Sequence, residues 1–395
     1  MKKILFLTPD LPYPPNGGGK IRSWMLLEYL SARYDLHICL FTKTEKQKNY
    51  EYEFLKKLKI DNFYSEYLNK ERNFKNLISS YKSGVPLTVY RYFSNNFKNH
   101  IEKIIEQFDT VFIDHFSMAQ YIPYSFKGKK IMHTHNAEYI LWERKASLEK
   151  NPLNKFLILI ESRRVKEYEK SIYKNADKIL CVSSNDVENI EKIGIDKNKI
   201  ELIPATGEND LLLLPDIQYS DTEKYLFYAG TLSWDANLDG LIWFMKNCWS
   251  KITEKNPEIK LYIAGSSPDK KLKKIVENFK NIILLGYVEN LEHYYSKCRV
   301  FIAPLRFGSG IKVKILNAMC RGIPTVTTPI GAEGIESTDM VHLGIAESPE
   351  EFIDKIDILL NEKTIWEKLR GNSKILMKEK YNWNKICTKL DGVLE

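Results

Sequence analysis

A chain of 395 residues is long for one domain and natural for two of about 150–200 residues each. Its 59 Lys and Arg against 51 Asp and Glu make a mild, dispersed positive excess. That argues against nucleic acid, which asks for a concentrated basic face, and suits small polyanions or an anionic membrane surface. Six cysteines, at 39, 181, 248, 298, 320 and 387, show no CxxC or Cys/His spacing and read as small buried hydrophobes in a reducing compartment. The opening residues are too short an apolar run for a signal peptide, and no stretch approaches the ~18–20 apolar residues of a membrane span. A cytoplasmic location is expected, with peripheral contact at the inner membrane face as an option.

In chain order, Ile4–Thr8 is a short apolar strand, followed by a Pro- and Gly-rich turn and a helix from about Lys20 to Tyr34. This strand, loop and helix lack the dinucleotide GxGxxG spacing. Leu36–Thr42 is a second strand. From 43 to 107 the chain is rich in Lys, Tyr and Asn, with helical pieces of low hydrophobicity. Within it, Asn73–Lys82 and Tyr90–Lys98 mix cations with aromatics, as surfaces lying on anionic bilayers do. Thr110–Asp114 and Lys130–His135 are strands ending in polar groups, where open parallel sheets bind ligands. One long amphipathic helix is expected over 138–175, then strand 178–182, a helix from Ser184 or Asn185, and strand 199–204. The pattern breaks over 206–222, which reads as a linker between domains 1–205 and 223–379.

The second half restarts the rhythm at Tyr225–Ala229, with strands at 260–264, 282–285 and 300–304 alternating with helices, which forces a parallel sheet. Its centre of interest is His293–Ala332. An apolar strand leads into Arg306–Gly310, a helix expected from near Ile311, a Gly322 cap and a strand at Thr325–Thr328. No Asp or Glu occurs in these forty residues, yet they hold Lys297, Arg299, Arg306, Lys312, Lys314 and Arg321. A helix N-terminus already carries about +0.5 charge, so lysines in its first turn call for an anion. A phosphate on the glycine loop supplies one. Gly310, Lys314 and Asn317 fall on one helical face and Lys312 turns away, which ranks Lys314 ahead of Lys312 as the phosphate ligand. Helices follow near 349–361 and 363–379.

Phe307, Gly308, Ser309, Gly310, Ile311, Lys312, Lys314 and Asn317, with Arg321–Pro324 and Ile330–Gly334, resemble the donor-binding signature of the group 1 (family 4) retaining glycosyltransferases. The resemblance implies the α/β fold called GT-B, two Rossmann-like domains facing across a cleft, with a last helix (about 380–395) returning to the first. That family often has two glutamates with seven residues between them; Ser309 and Asn317 stand at those places here. The resemblance further assigns Gly18, Gly19 and Arg22 to a donor-facing loop. Asp114 or His115 takes the place of a histidine near the transferred sugar, and His135 and Glu138 match a His-Asn-x-Glu element. Gly230, Thr231 and Asn237 lie at the turn that usually carries an Arg and a Lys for the diphosphate, and Tyr287 and Val288 at the turn that reads the nucleobase.

The expectation is a retaining transferase that moves a sugar from a nucleotide-diphosphate sugar to a sugar or lipid-linked saccharide hydroxyl, in surface polysaccharide, lipopolysaccharide or glycolipid assembly. No Asp-x-Asp occurs, so no metal or other cofactor is expected, and protein cations must meet the leaving charge. The alternatives are a GT-B sugar-nucleotide epimerase and a catalytically inactive binding protein.

Overall fold

The computed structural model describes residues 2–15, 17–266 and 268–394. It divides into two compact units, one running to Ile203 and including the chain from Leu390, the other spanning Pro204–Lys389. The first unit holds a sheet of β1 (Lys3–Thr8), β2 (Asp35–Thr42), β3 (Phe63–Tyr67), β4 (Thr110–Asp114), β5 (Lys129–His133), β6 (Lys178–Cys181) and β7 (Ile200–Leu202), ordered 3-2-1-4-5-6-7. The second holds β8 (Glu223–Ala229), β9 (Lys260–Ala264), β10 (Ile282–Gly286), β11 (Cys298–Ala303), β12 (Thr325–Thr327) and β13 (Gly344–Ile345), ordered 10-9-8-11-12-13. Every pairing between these strands is parallel. The central strands read as unbroken apolar runs because helices cover both faces: β4 and β11 are buried throughout.

Each sheet reverses its strand order once, between β1 and β4 and between β8 and β11. At such a reversal, at the carboxyl ends of the strands, open α/β sheets bind their ligands. In the first sheet Thr8 and Asp114 end the two flanking strands. In the second, Gly230 follows β8 and the glycine loop follows β11. Packing is tight within both sheets: Phe6 stacks on Phe112 at 5.1 Å, and at the start of β11 the buried Trp366 indole donates to the Arg299 carbonyl at 2.7 Å.

Several expectations are corrected. The helix expected over 138–175 is two, Glu138–Leu148 and Pro152–Asn175, because Pro152 starts a new helix capped by the Asn151 side chain. The 43–107 region contains β3, whose half-buried edge position leaves it no alternating apolar signal. The stretch 206–222 is not structureless: it holds the helix Asn209–Leu213 and a turn at Tyr219–Asp221. The helix after the glycine loop begins at Val313, with Lys312 extended as its N-cap, so Lys312 belongs to the loop and the helical-face argument does not reach it.

Candidate functional site

In the first unit the polar groups converge on Asp114, which is wholly buried. Its Oδ2 accepts from Thr8 Oγ1 at 2.9 Å and Ser23 Oγ at 2.6 Å, and its Oδ1 lies 2.7 Å from His133 Nδ1 and 2.9 Å from His135 Nε2. Burial opposes the charge, but the charge of His135 and the hydrogen bonds from His133 and His135 overcome it and hold the carboxyl well below its usual range. Arg22, buried in the first helix, donates from Nε to His133 Nε2 at 3.4 Å and from Nη2 to the Ile203 carbonyl at 2.9 Å. With Nε2 accepting, His133 carries its proton on Nδ1, facing Asp114. Burial accordingly lowers its pKa to about 4. Arg22 thus supports this network, and Gly18 and Gly19 form the first turn of the helix, where a Cβ on Gly19 would stand 3.3 Å from the His135 ring.

His115 follows Asp114 with φ 106°, a backbone region costing a non-glycine residue about 1–3 kcal/mol and found where function demands it. Its Nδ1 lies 2.7 Å from Ser117 Oγ, and its Nε2 lies 4.0 Å from Glu138 Oε1. Burial, then the neighbouring His135, lowers its pKa to about 3, so the imidazole is neutral at pH 7. Burial raises Glu138. Sequence reasoning missed Glu169, which fixes Glu138: it accepts the Glu138 and Tyr139 N–H groups at 3.0 and 2.9 Å and the Tyr173 hydroxyl at 2.9 Å. A buried carboxylate on a helix N-terminus from a neighbouring helix has no local sequence signal. Asp114, His115, His135 and Glu138 therefore do come together, with His133 as an added member.

In the second unit the cations of 293–332 separate by partner. Arg306 pairs with Asp239 at 2.8 and 2.9 Å, Arg321 with Glu292 at 2.8 and 2.9 Å, and Lys297 lies 3.4 Å from Glu223. Arg299 is spread over the carbonyls of Leu360, Tyr219 and Thr222. Lys312, buried, donates to the Gly310 carbonyl and lies 3.9 Å from Glu333. The carboxylates absent from the stretch thus reach it from outside, which removes the expected need for an external anion from four of its six cations.

Lys314 differs. Its ammonium donates to Asn237 Oδ1 at 2.5 Å and to the Tyr228 hydroxyl at 2.9 Å, both neutral. Asn237 is held in turn by donating to the Thr231 carbonyl at 2.8 Å. Gly230 leaves the space that the ammonium uses: a Cβ there would stand 2.9 Å from the Tyr228 hydroxyl and 3.2 Å from Lys314 Nζ. Burial, then the charge of Lys312, lowers the Lys314 pKa to about 7. Gly308 and Gly310, at φ 144° and 68°, take conformations closed to ordinary side chains and wrap the loop beside it. Phe307 and Ser309 are buried there, while Ile311 is half-buried.

Asn317, one turn on, is paired reciprocally with Glu208, donating to its Oε1 at 2.7 Å and accepting its N–H at 3.0 Å. Gly207 presses directly on this helix, and a Cβ there would lie 3.0 Å from the Leu316 carbonyl. A carboxylate therefore stands beside position 317, supplied from the expected linker. Tyr287 is exposed beyond the end of β10, with Val288 next to it.

A doubly wound parallel sheet in each unit, with a lysine ammonium at one switch point and a carboxylate–imidazole cluster at the other, defines an α/β protein built of two Rossmann-like units. The family follows from the sequence matches of the two halves. The family model "Glycosyltransferase Family 4" matches residues 16–205 and "Glycosyl transferases group 1" matches 223–362. The chain belongs to the group 1, family 4 glycosyltransferases, and its fold is GT-B. It is 25% identical, over 99% of both chains, to an uncharacterized 44.6 kDa protein in the cps region of Klebsiella pneumoniae. In fold it matches Anabaena Alr3699/HepE in complex with UDP and glucose, with a TM-score of 0.71 at 12% identity over 100% of this chain and 99% of that one. It also matches a mutant form of S. aureus TarM in complex with fondaparinux, alpha-GlcNAc-glycerol and UDP, with a TM-score of 0.70 at 14% identity over 99% of each chain.

Proposed function

We propose that the protein transfers a sugar from a nucleoside-diphosphate sugar to a hydroxyl of a saccharide or lipid-linked saccharide with retention of configuration and without a divalent metal on the diphosphate. The observation that carries this reading is Lys314, an ammonium held at the switch point by two neutral groups beside a glycine loop. A diphosphate arriving there meets a preorganised cation, and a charged hydrogen bond contributes ~1.5–3 kcal/mol. Lys312 and the N–H groups of the loop supply the remainder.

Charge develops on the leaving phosphate as the anomeric C–O bond breaks, and Lys314 meets it. The leaving phosphate oxygen takes the acceptor hydroxyl's proton on the same face of the sugar, so no carboxylate nucleophile is required. In the first unit Asp114 is committed to four hydrogen-bond partners and orients His133 and His135. His115, neutral, and Glu138 beside it remain to bind sugar and acceptor hydroxyls.

The UDP complexes of similar folds make uridine diphosphate sugars the first donors to try. Surface-polysaccharide, lipopolysaccharide or glycolipid assembly is the proposed setting. Among the described residues no helix is long and apolar enough to cross a membrane. Peripheral contact is favoured by Phe74 and Tyr81, 75% and 52% exposed on a helix that also carries Lys75 and Lys82. Thermal shift and nucleotide release with a panel of UDP-, GDP- and dTDP-sugars test the whole reading. Binding with slow donor hydrolysis supports the transferase. Isomerised donor would mean an epimerase, and absence of binding an inactive scaffold.

A further inference from the structure

At the amino-terminal end of β2, away from the switch point of its own sheet, the first unit carries a second cluster. His37 and Cys39 alternate on the strand, so their side chains leave one face. The helix Asn95–Ile104 covers that face: Phe41, next along it, packs on Phe97 at 4.3 Å, and His100 lies over His37 with ring centroids 6.4 Å apart. One donor atom from each of His37, Cys39 and His100 lies within 4.8 Å of the other two. His37 Nε2 and His100 Nε2 are both buried without a hydrogen-bond partner, and Cys39 is a fully buried free thiol. The rings are held in place, His100 stacked on Tyr64 at 3.8 Å and His37 edge-on to Phe108 at 5.6 Å.

A buried ring nitrogen without a partner is uncommon and calls for an occupant. Two of them beside one thiol share a common answer. We propose that His37, Cys39 and His100 form a binding site for a thiolate-seeking transition metal, zinc(II) or copper(I), that ties β2 to the helix Asn95–Ile104. The donor set selects this class: two imidazoles and a thiolate suit zinc and copper, while calcium and magnesium take oxygen donors. A metal about 2.0–2.3 Å from each donor sets the donors about 3.3–4 Å apart, so the site closes by up to about 1.5 Å on binding. The Cys39 S–H bond breaks, a sulfur–metal bond forms and the proton leaves to solvent. His37 and His100 are half-buried, which gives the ion a way in. The site is structural and independent of the transfer chemistry, since Asp114 and its partners stand at the opposite ends of these strands.

The test uses the full chain, freed of metal with a chelator, titrated with zinc(II) and, under reducing conditions, with copper(I), and with cobalt(II) as a spectroscopic probe. The expected result is one equivalent bound per chain, a rise in Tm and a sulfur-to-cobalt charge-transfer band. Cys39→Ala abolishes the band. His100→Gln, a change at a half-buried helix position that keeps the proposal testable if Cys39→Ala folds poorly, weakens binding more than about ten-fold, since loss even of groups outside the ligand set costs that much. His135→Gln leaves the binding unchanged. The tighter of the two ions names the metal. Absence of a sulfur band, or binding lost in His135→Gln and kept in Cys39→Ala, would overturn the assignment.

Discussion

At the switch point of the first sheet a carboxylate, Asp114, sits under two hydroxyls and two imidazoles, whereas at the corresponding point of the second an ammonium, Lys314, sits between an amide and a phenol. Both ions are taken out of water, which costs several kcal/mol. The first recovers that cost internally, and its pKa moves to favour the charge. The second does not, and its pKa falls to about 7. An ion already satisfied organises its neighbours; an ion left short of counter-charge is suited to bind one that arrives. The polar residues of the two halves therefore have different work, although both lie where the fold places ligands.

The largest effect expected from breaking this contrast is on the satisfied side. Asp114→Ala leaves His133, His135, Thr8 and Ser23 without their shared acceptor and should cost about 3–5 kcal/mol, read as a lowered urea midpoint. A loss below about 1 kcal/mol would show that the network contributes little. On the other side, Lys314→Ala should leave the fold intact, because its partners are neutral, and lower turnover by about ten-fold to a few hundred-fold, equivalent to roughly 1.4–3.4 kcal/mol. Lys312→Ala should lower it less, since Glu333 and the Gly310 carbonyl already engage that ammonium. Wild-type turnover in Lys314→Ala would remove the assignment.

The fold was legible because parallel strands buried on both faces are written as apolar runs, and β4 and β11 are the clearest of them. The site was legible in part. Asp114, His115 and Lys314 sit at strand ends or helix starts, which sequence periodicity locates. Glu169 and Glu208 were not, because each reaches its partner across tens of residues, from Glu169 to Glu138 and from Glu208 to Asn317. Nor was the cluster at His37, whose third member, His100, comes from a helix sixty residues on. The charge count of 293–332 misled for the same reason: Asp239, Glu292, Glu223 and Glu333 all lie outside it.

A pH series sharpens the comparison next. Below pH 7 Lys314 is an ammonium both free and bound, so affinity for a nucleoside-diphosphate sugar, whose diphosphate does not titrate in this range, should be flat. Above pH 7 the free lysine is neutral, binding takes up a proton, and affinity should fall by up to about ten-fold per pH unit until the bound lysine also titrates. Calorimetry in buffers of different ionisation enthalpy reads that proton directly. Lys314→Ala should flatten the profile, and an equally steep profile in the variant would place the titrating group elsewhere.

The smallest effect concerns the carboxylate beside position 317. Asn317 and Glu208 exchange two hydrogen bonds at 2.7 and 3.0 Å, so the helix contributes an amide where the family often places an acid, and the acid comes from 208. Asn317→Glu alone sets two carboxylates against each other and should lower stability by about 1–2 kcal/mol, while Glu208→Gln alone should change it by less than about 1. Combined, the two substitutions exchange amide and acid across the contact and restore the pairing. A double-mutant cycle of urea midpoints should therefore give a favourable coupling of about 0.5–3 kcal/mol. Zero coupling would mean that the two side chains do not depend on each other. A favourable value would leave the pair intact with its charge moved onto the helix, so that nucleotide affinity of the double variant then reads whether the side from which the acid comes matters.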